Sequence, residues 1–362
     1  MADLPSWPDR GILTLFGIEV PILQAPMAGA QLSPMAIAVS NAGGLGALPC
    51  AMLTVSQARA ELAAIRRATA RPIHVNFFAH PDPAVDPARD AAWRQRLAPY
   101  YTELGVDPGA LPAGSKRAPF DSAMCEVVEE FRPEVASFHF GLPEAVLLNR
   151  VRAAGAKILS SATTVDEARW LADGGCDAVI AQGSEAGGHR GMFLATNPAT
   201  QMGTMALVPQ VVDALAIPVI AAGGIADGRG IVAAFALGAS AVQIGTAFLL
   251  SPEATVSAVH RNALRESGRR ETALTNVFSG RPARGIVNRL IREVGPLSEL
   301  APQFPLASTA VAPLRLTSEA RGSEEFAQMW SGQAASLARE LSAGEITRLL
   351  ARDALERIAR LR

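Results

Sequence analysis

Residues 182–191 read Gln-Gly-Ser-Glu-Ala-Gly-Gly-His-Arg-Gly, four glycines around a single histidine, His189. Glycine leaves the backbone open, and an imidazole with a reference pKa of about 6.5 can move a proton near neutrality. His189 is therefore the candidate for acid–base work. The loop adds little bulk, so its ring is expected to project with few neighbours. Of the other four histidines, His74, His80 and His260 read as satisfied structural groups. His139 lies on a predicted strand and stands between inner-face packing and site lining.

Two further segments could bind a phosphate. Ala221-Ala-Gly-Gly-Ile225 and Gln243-Ile-Gly-Thr-Ala-Phe248 each begin where a predicted late strand ends. Backbone N–H groups and a helix N-terminus at such turns form an anion cradle, to which a threonine hydroxyl can add. The residues concerned are Gly223 and Gly224 in one loop, and Gln243, Ile244, Gly245 and Thr246 in the other. A lone Gly-Gly would mark only a tight turn, but two such loops on adjacent strands favour the phosphate. A third segment, Gln24-Ala-Pro-Met-Ala-Gly29, offers small residues around Pro26 and Met27 that leave room for a flat ring.

These segments need a scaffold that brings strand ends together. Short β-branched runs alternate with Ala/Leu-rich helical stretches, the pattern of βα units around a parallel sheet. Strands are expected at Ile22–Ala25, Leu45–Leu48, Ile73–Phe77, Val135–Phe140, Lys157–Ser160, Ala178–Ala181, Val219–Ala222 and Ala241–Ile244. Eight favour a closed (β/α)₈ TIM barrel, whose ligand loops gather at the C-terminal ends of the strands. In Ile73-His-Val-Asn-Phe77 the period of two puts His74 and Asn76 on the face opposite Ile73 and Val75. Helix starts are expected at Thr54, in a capping box with Gln57, at Thr163 or Thr164, at Ser251-Pro252, and at Ser342 with Glu345.

The expected barrel takes residues 1–79 and 121–250. The Pro- and Gly-rich stretch 80–120, with Trp93, Tyr100 and Tyr101, is too long for a plain connection and reads as a helical insertion over the barrel mouth. After Pro252 the alternation stops. Helices are expected there at Ser323–Leu341 and Ser342–Leu361, so that 251–362 joins the insertion in a second, substrate-binding lid lobe with the tyrosines in the lid.

Composition narrows the class of partner. Apolar residues make up 49% of the 362, and 33 basic against 34 acidic residues leave a net charge of −1. That predicts a large buried core and gives no electrostatic reason for a nucleic-acid or membrane partner. Cys50, Cys125 and Cys176 form no CxxC, which argues against a metal site or disulfide framework and fits a reducing cytoplasm. The N-terminus lacks a signal-peptide pattern, and the longest apolar stretch, Met205 to Ile225, is broken by Pro209 and Pro218. A small-molecule substrate is the expected partner, and a homodimer is compatible with the sequence.

The segments QAPMAGA, GGLGAL, VNFF, FHFG, AQGSEAGGHRG, IPVIAAGGIADG and VQIGTAFL occur in this order over roughly residues 15–250. In this they resemble the nitronate monooxygenases, formerly called 2-nitropropane dioxygenases, of the class with a histidine in the GSEAGGHRG loop. The resemblance implies FMN across the strand ends, with the backbone of Pro26 and Met27 beside its ring. It implies Asn76 and Gln182 side chains on the polar edge of that ring. Gly187, Gly224 and Gln243 to Thr246 would surround its ribityl chain and phosphate, with His189 catalytic. The implied reaction is oxidation of an alkyl nitronate by O₂ to a carbonyl compound and nitrite. Two departures bear on the substrate. Phe304 stands where some members are expected to carry Tyr, and no lysine follows Lys157. A rival reading on the same barrel is an FMN-dependent NAD(P)H reductase of quinones or enoyl thioesters. Another is a flavin-free barrel for a phosphorylated metabolite.

Overall fold

The protein, seen as a computed structural model, is described over residues 6–107 and 117–361. Residues 108–116 of the expected insertion lie outside the described residues. Six strands come first, β1 (Ile22–Gln24), β2 (Gly46–Pro49), β3 (Ile73–Phe78), β4 (Val135–His139), β5 (Lys157–Ala162) and β6 (Ala178–Gln182). A two-residue strand, β7 (Gly188–His189), precedes β8 (Val219–Ala222) and β9 (Ala241–Ile244). Two more, β10 (Thr272–Thr275) and β11 (Ala283–Ile286), come later.

Strands β1–β6, β8 and β9 are the eight expected. They run in parallel order β1-β9-β8-β6-β5-β4-β3-β2. The seam closes where Gln24 N donates to Leu45 O (3.0 Å) and Leu45 N to Ile22 O (3.0 Å). The fold is thus a (β/α)₈ TIM barrel. Gly46 makes the closure compact, because a Cβ there would lie 2.0 Å from Ala36 O in helix Ser33–Asn41. One end of the barrel is filled. Leu23, Leu45, Val135, Leu159, Ile180 and Ile220 form a cluster with Ile12, Phe16 and Ile18 of the N-terminal segment. Alternate residues such as Ile73 and Val75 join the larger layer between strands and helices. That leaves the C-terminal strand ends for a site.

The helix starts are partly as expected. Thr54 and Gln57 form the capping box, and Thr164 caps Val165–Asp173. Ser251-Pro252 starts no helix. Pro252 lies in a turn, and the next helix, Ala258–Arg265, is capped by Ser257.

The region after 251 is more than helices. Strands β10, β11 and β7 form a three-stranded antiparallel sheet, pairing Ala283 with His189 and Arg284 with Gly188. The helix expected at Ser323–Leu341 is absent, and the long helix lies upstream at Ala307–Ala320. Backbone groups of the expected stretch bond elsewhere. Met329 O accepts from Ile286 N (2.9 Å), Ser331 N donates to Arg284 O (3.2 Å) and Gln333 N to Glu185 O (3.0 Å). Tertiary pairing overrides the helical pattern there.

Helix Ala343–Leu361 also differs from expectation. Its Ile346, Leu350, Ala354 and Ile358 pack into the main barrel core, and Asp353 Oδ2 accepts from Gly228 N (2.9 Å). It serves as a barrel helix, not as part of a lid.

A separate core joins helix Pro87–Leu104 to Arg289–Val294 and Ala307–Ala320. Trp93 is fully buried in it and donates from Nε1 to Ala307 O (3.3 Å). Tyr101 donates to Ala310 O (2.6 Å) and Tyr100 to Glu293 Oε2 (2.9 Å). The two tyrosines are therefore packing residues of this core, and neither lines the main cavity. Trp93→Ala should destabilise the chain by about 3–5 kcal/mol, the usual cost of an emptied aromatic site. The denaturant midpoint measures it, and a shift within error would show that this core is not coupled to global unfolding.

Candidate active site

A cavity of about 440 Å³ opens at the C-terminal strand ends, within the range of ~300–1,000 Å³ usual for small-molecule sites. Pro26, Met27, Asn76, Gln182, Gly187, His189, Gly223, Gly224, Gln243, Gly245 and Thr246 all line it. Ile244 does not. It sits between Gln243 and Gly245 on an alternating backbone, so its side chain turns into the barrel core. Residues brought in without a sequence signal include Arg117, Arg315 and Trp330.

His189 sits on β7, held from several sides. Gln182 Nε2 donates to its carbonyl (3.0 Å), while Gln182 Oε1 accepts from Gly191 N (2.8 Å). The Gln182 amide thus shapes the loop while still lining the cavity, with a second Nε2 hydrogen beyond the one given to His189. Arg190, wholly buried, donates to Gly183 O and Gln182 O (2.6 Å each) and to Gln201 Oε1 (2.6 Å). His139 Nε2 lies 3.2 Å from the His189 carbonyl, which places His139 in the site lining.

The imidazole is not isolated, contrary to the open loop expected. It is half-buried, with the rings of Phe304 at 5.2 Å, Trp330 at 5.4 Å and Phe140 at 6.1 Å. Its Nε2 lies 2.8 Å from Ser279 Oγ, which the hairpin between β10 and β11 delivers across 90 residues of sequence. Burial lowers its pKa well below 6.5, helped by the positive charges of Arg117 and Arg281 and by His139. The imidazole is therefore neutral near pH 7 and free to accept a proton. The same field favours a small anion beside it.

The glycine loops follow β8 and β9 as expected. Gly223 (φ +118°) and Gly224 (φ +69°) both occupy backbone conformations that side chains with a Cβ rarely adopt. The neighbouring helix ends are already satisfied, however. Glu185 accepts from Thr204 N (2.8 and 3.0 Å) at the start of Thr204–Ala214, and Asp227 accepts from Arg229 N (2.9 Å) at the start of Gly228–Ala236. An anion in this cradle must therefore rely on the loop backbone and not on a helix end. Thr246 Oγ1 accepts from Gly332 N (2.9 Å), which ties the β9 loop to the 330s segment.

The polar groups along the cavity suit a flat heteroaromatic ligand with donors and acceptors on one edge. Asn76 Nδ2 donates to Ser137 Oγ (2.8 Å), and His74 Nε2 bonds the same hydroxyl. Gln243 Oε1 is buried with no donor. A buried acceptor left so costs about 1–3 kcal/mol, which a ligand N–H would recover. Small residues at Ala25, Ala28, Gly29 and Ala30 leave the strand-one side open.

A model of the nitronate monooxygenase family matches residues 11–353. A nitronate monooxygenase of Pseudomonas aeruginosa is 43% identical over 344 residues, covering 94% of this chain and 97% of its own length. One from Paraburkholderia phytofirmans is 40% identical over 355 residues, covering 98% and 97%. Among solved structures, a nitroalkane oxidase from Streptomyces ansochromogenes matches with a TM-score of 0.88 at 37% identity, covering 97% of this chain and 100% of that one. FabK from Thermotoga maritima matches less closely, with a TM-score of 0.74 at 29% identity, covering 98% and 99%. No helix among the described residues is long and apolar enough to cross a membrane. The chain belongs to the nitronate monooxygenase family of flavin-dependent oxidoreductases.

Proposed function

We propose that this protein binds FMN in the cavity and oxidises alkyl nitronates, such as propionate 3-nitronate, with O₂ to a carbonyl compound and nitrite. The observation that carries the reading is His189 lining the cavity at the barrel mouth within a field of arginines, beside the positive-φ pair Gly223 and Gly224 and the β9 glycine loop. Flavin supplies the electron transfer when bound, and the chain supplies position and charge.

In this reading the backbone of Pro26 and Met27 lies along the ring, and Asn76 and Gln182, with the buried acceptor of Gln243, serve its polar edge. Gly187, Gly223, Gly224, Gly245 and Thr246 surround the ribityl chain and phosphate. His189 takes the α-proton of a neutral nitroalkane, or steadies a nitronate that has already lost it. Helix Pro87–Leu104 and the segment from β10 to the 330s then act together as the lobe covering the substrate.

Heat-released flavin should migrate as FMN, and aerobic addition of propionate 3-nitronate should release nitrite. Recovery of FAD, or of no flavin after reconstitution, would count against the cofactor. Rapid anaerobic bleaching by NADH or NADPH without nitrite release would favour the reductase reading, which the FabK likeness keeps as the rival.

A further inference from the structure

Arg117 is more than nine-tenths buried, and its Nη1 has no hydrogen-bond partner. It lines the cavity with Arg315 and Glu319. Arg315 has Glu319 as its carboxylate neighbour, at 3.9 Å. No carboxylate among the described residues forms an ion pair with Arg117. Its position is fixed from behind, where its backbone carbonyl lies 3.0 Å from His80 Nε2. Its guanidinium stands 5.9 Å from the Phe304 ring centre, and that ring lies 5.2 Å from the His189 ring.

A buried guanidinium with a free N–H is costly unless an anion uses it. The nearest place for one is the cavity itself. A ligand with a single anionic group at His189 would leave Arg117 unmatched, one aromatic ring further along. We propose that Arg117 is a specificity-determining residue that receives a carboxylate at the far end of a short nitronate whose reacting carbon lies at His189. The assignment rests on the nitronate reading above. It also accounts for how a chain with no lysine after Lys157 can hold an anionic tail: the cation comes from the other side of the sequence, at the end of the 80–120 stretch.

The test uses the flavin-loaded enzyme and two substrates of equal carbon count, propionate 3-nitronate and propyl-1-nitronate. Arg117→Gln should raise KM for the first by about 10- to 100-fold, the range of a lost charge-assisted hydrogen bond. KM for the second should stay nearly unchanged, and Arg117→Lys should recover part of the loss. Anaerobic calorimetric titration with 3-nitropropionate should show the same weakening at unchanged flavin content. Equal effects on both nitronates would make Arg117 a holder of the nitro group or of the fold, and no effect would make it a bystander. Either result overturns the proposal. A wild-type enzyme that releases no nitrite from either substrate would instead sink the nitronate reading itself.

Discussion

His189→Asn is expected to keep the fold and the flavin yet lose about 10²- to 10⁴-fold in turnover of a neutral nitroalkane. Asparagine retains a polar group near the position of Nδ1, gives up the Nε2 contact with Ser279 Oγ, and cannot take a proton near neutrality. Loss with a preformed nitronate should be much smaller, because that substrate has already given up its proton. Severe and equal losses on both substrates would make His189 a binding residue, and slight, equal losses would leave it no role. A pH profile adds a second check. Burial and the Arg117 and Arg281 charges depress the His189 pKa, so protonation disables it only below its ordinary 6.5. The kcat/KM profile for nitroalkane should therefore run level through pH 6.5 on its acid side. An inflection at 6.5 or above would contradict the environment described for the ring.

Gly224→Val is expected to abolish flavin binding. The position has φ +69°, a left-handed conformation that costs about 1–2 kcal/mol for a residue with a Cβ and more for a branched one. The new Cβ would also stand 3.4 Å from Glu185 Cβ, against the carboxylate that caps Thr204–Ala214. The Cβ itself makes only ordinary contact there, so it is the left-handed φ and the added γ-methyls that should turn the loop and spoil the cradle. Flavin-to-protein absorbance after gel filtration reads the outcome, with circular dichroism as the check on folding. A folded variant that holds FMN as tightly as the parent would show that the phosphate lies elsewhere.

The barrel was readable because its strands obey a period. Val219–Ala222 and Ala241–Ile244 fall at the bounds expected, and the other six differ by a residue or two at their ends. The same alternation, carried one step further, would have removed Ile244 from the cradle, since Gln243 and Gly245 already face the cavity. Glycine loops after strands were readable too, because few residues other than glycine tolerate the φ of Gly223 and Gly224. What escaped were contacts between distant segments. Strand β7 has two residues, and β10 and β11 lie beyond the point where the alternation of strand and helix stops, so the sheet that holds His189 was invisible. Ser279 and Arg117 carry no local motif, and only folding reveals that one meets the imidazole and the other faces the cavity. The tyrosine pair misled for the opposite reason. Aromatic residues beside an expected barrel mouth suggest a lid, yet the face they share with Trp93 and Leu97 is the one that packs inward.

Helix Ala343–Leu361 and the 330s loop are distant in sequence from the parts of the barrel they complete. The helix closes the core against residues of Ser33–Asn41 and Gly228–Ala236, and Gly332 reaches back to Thr246. The barrel core and the β9 loop are therefore both incomplete until these two distant segments have folded back onto them. Without the helix, the apolar seam it covers would be open to water. Flavin binding in the proposed cradle should then depend on both segments being in place. When FMN is supplied, a chain stopped at residue 342 should emerge colourless and prone to aggregate, while the chain that carries helix Ala343–Leu361 should turn yellow.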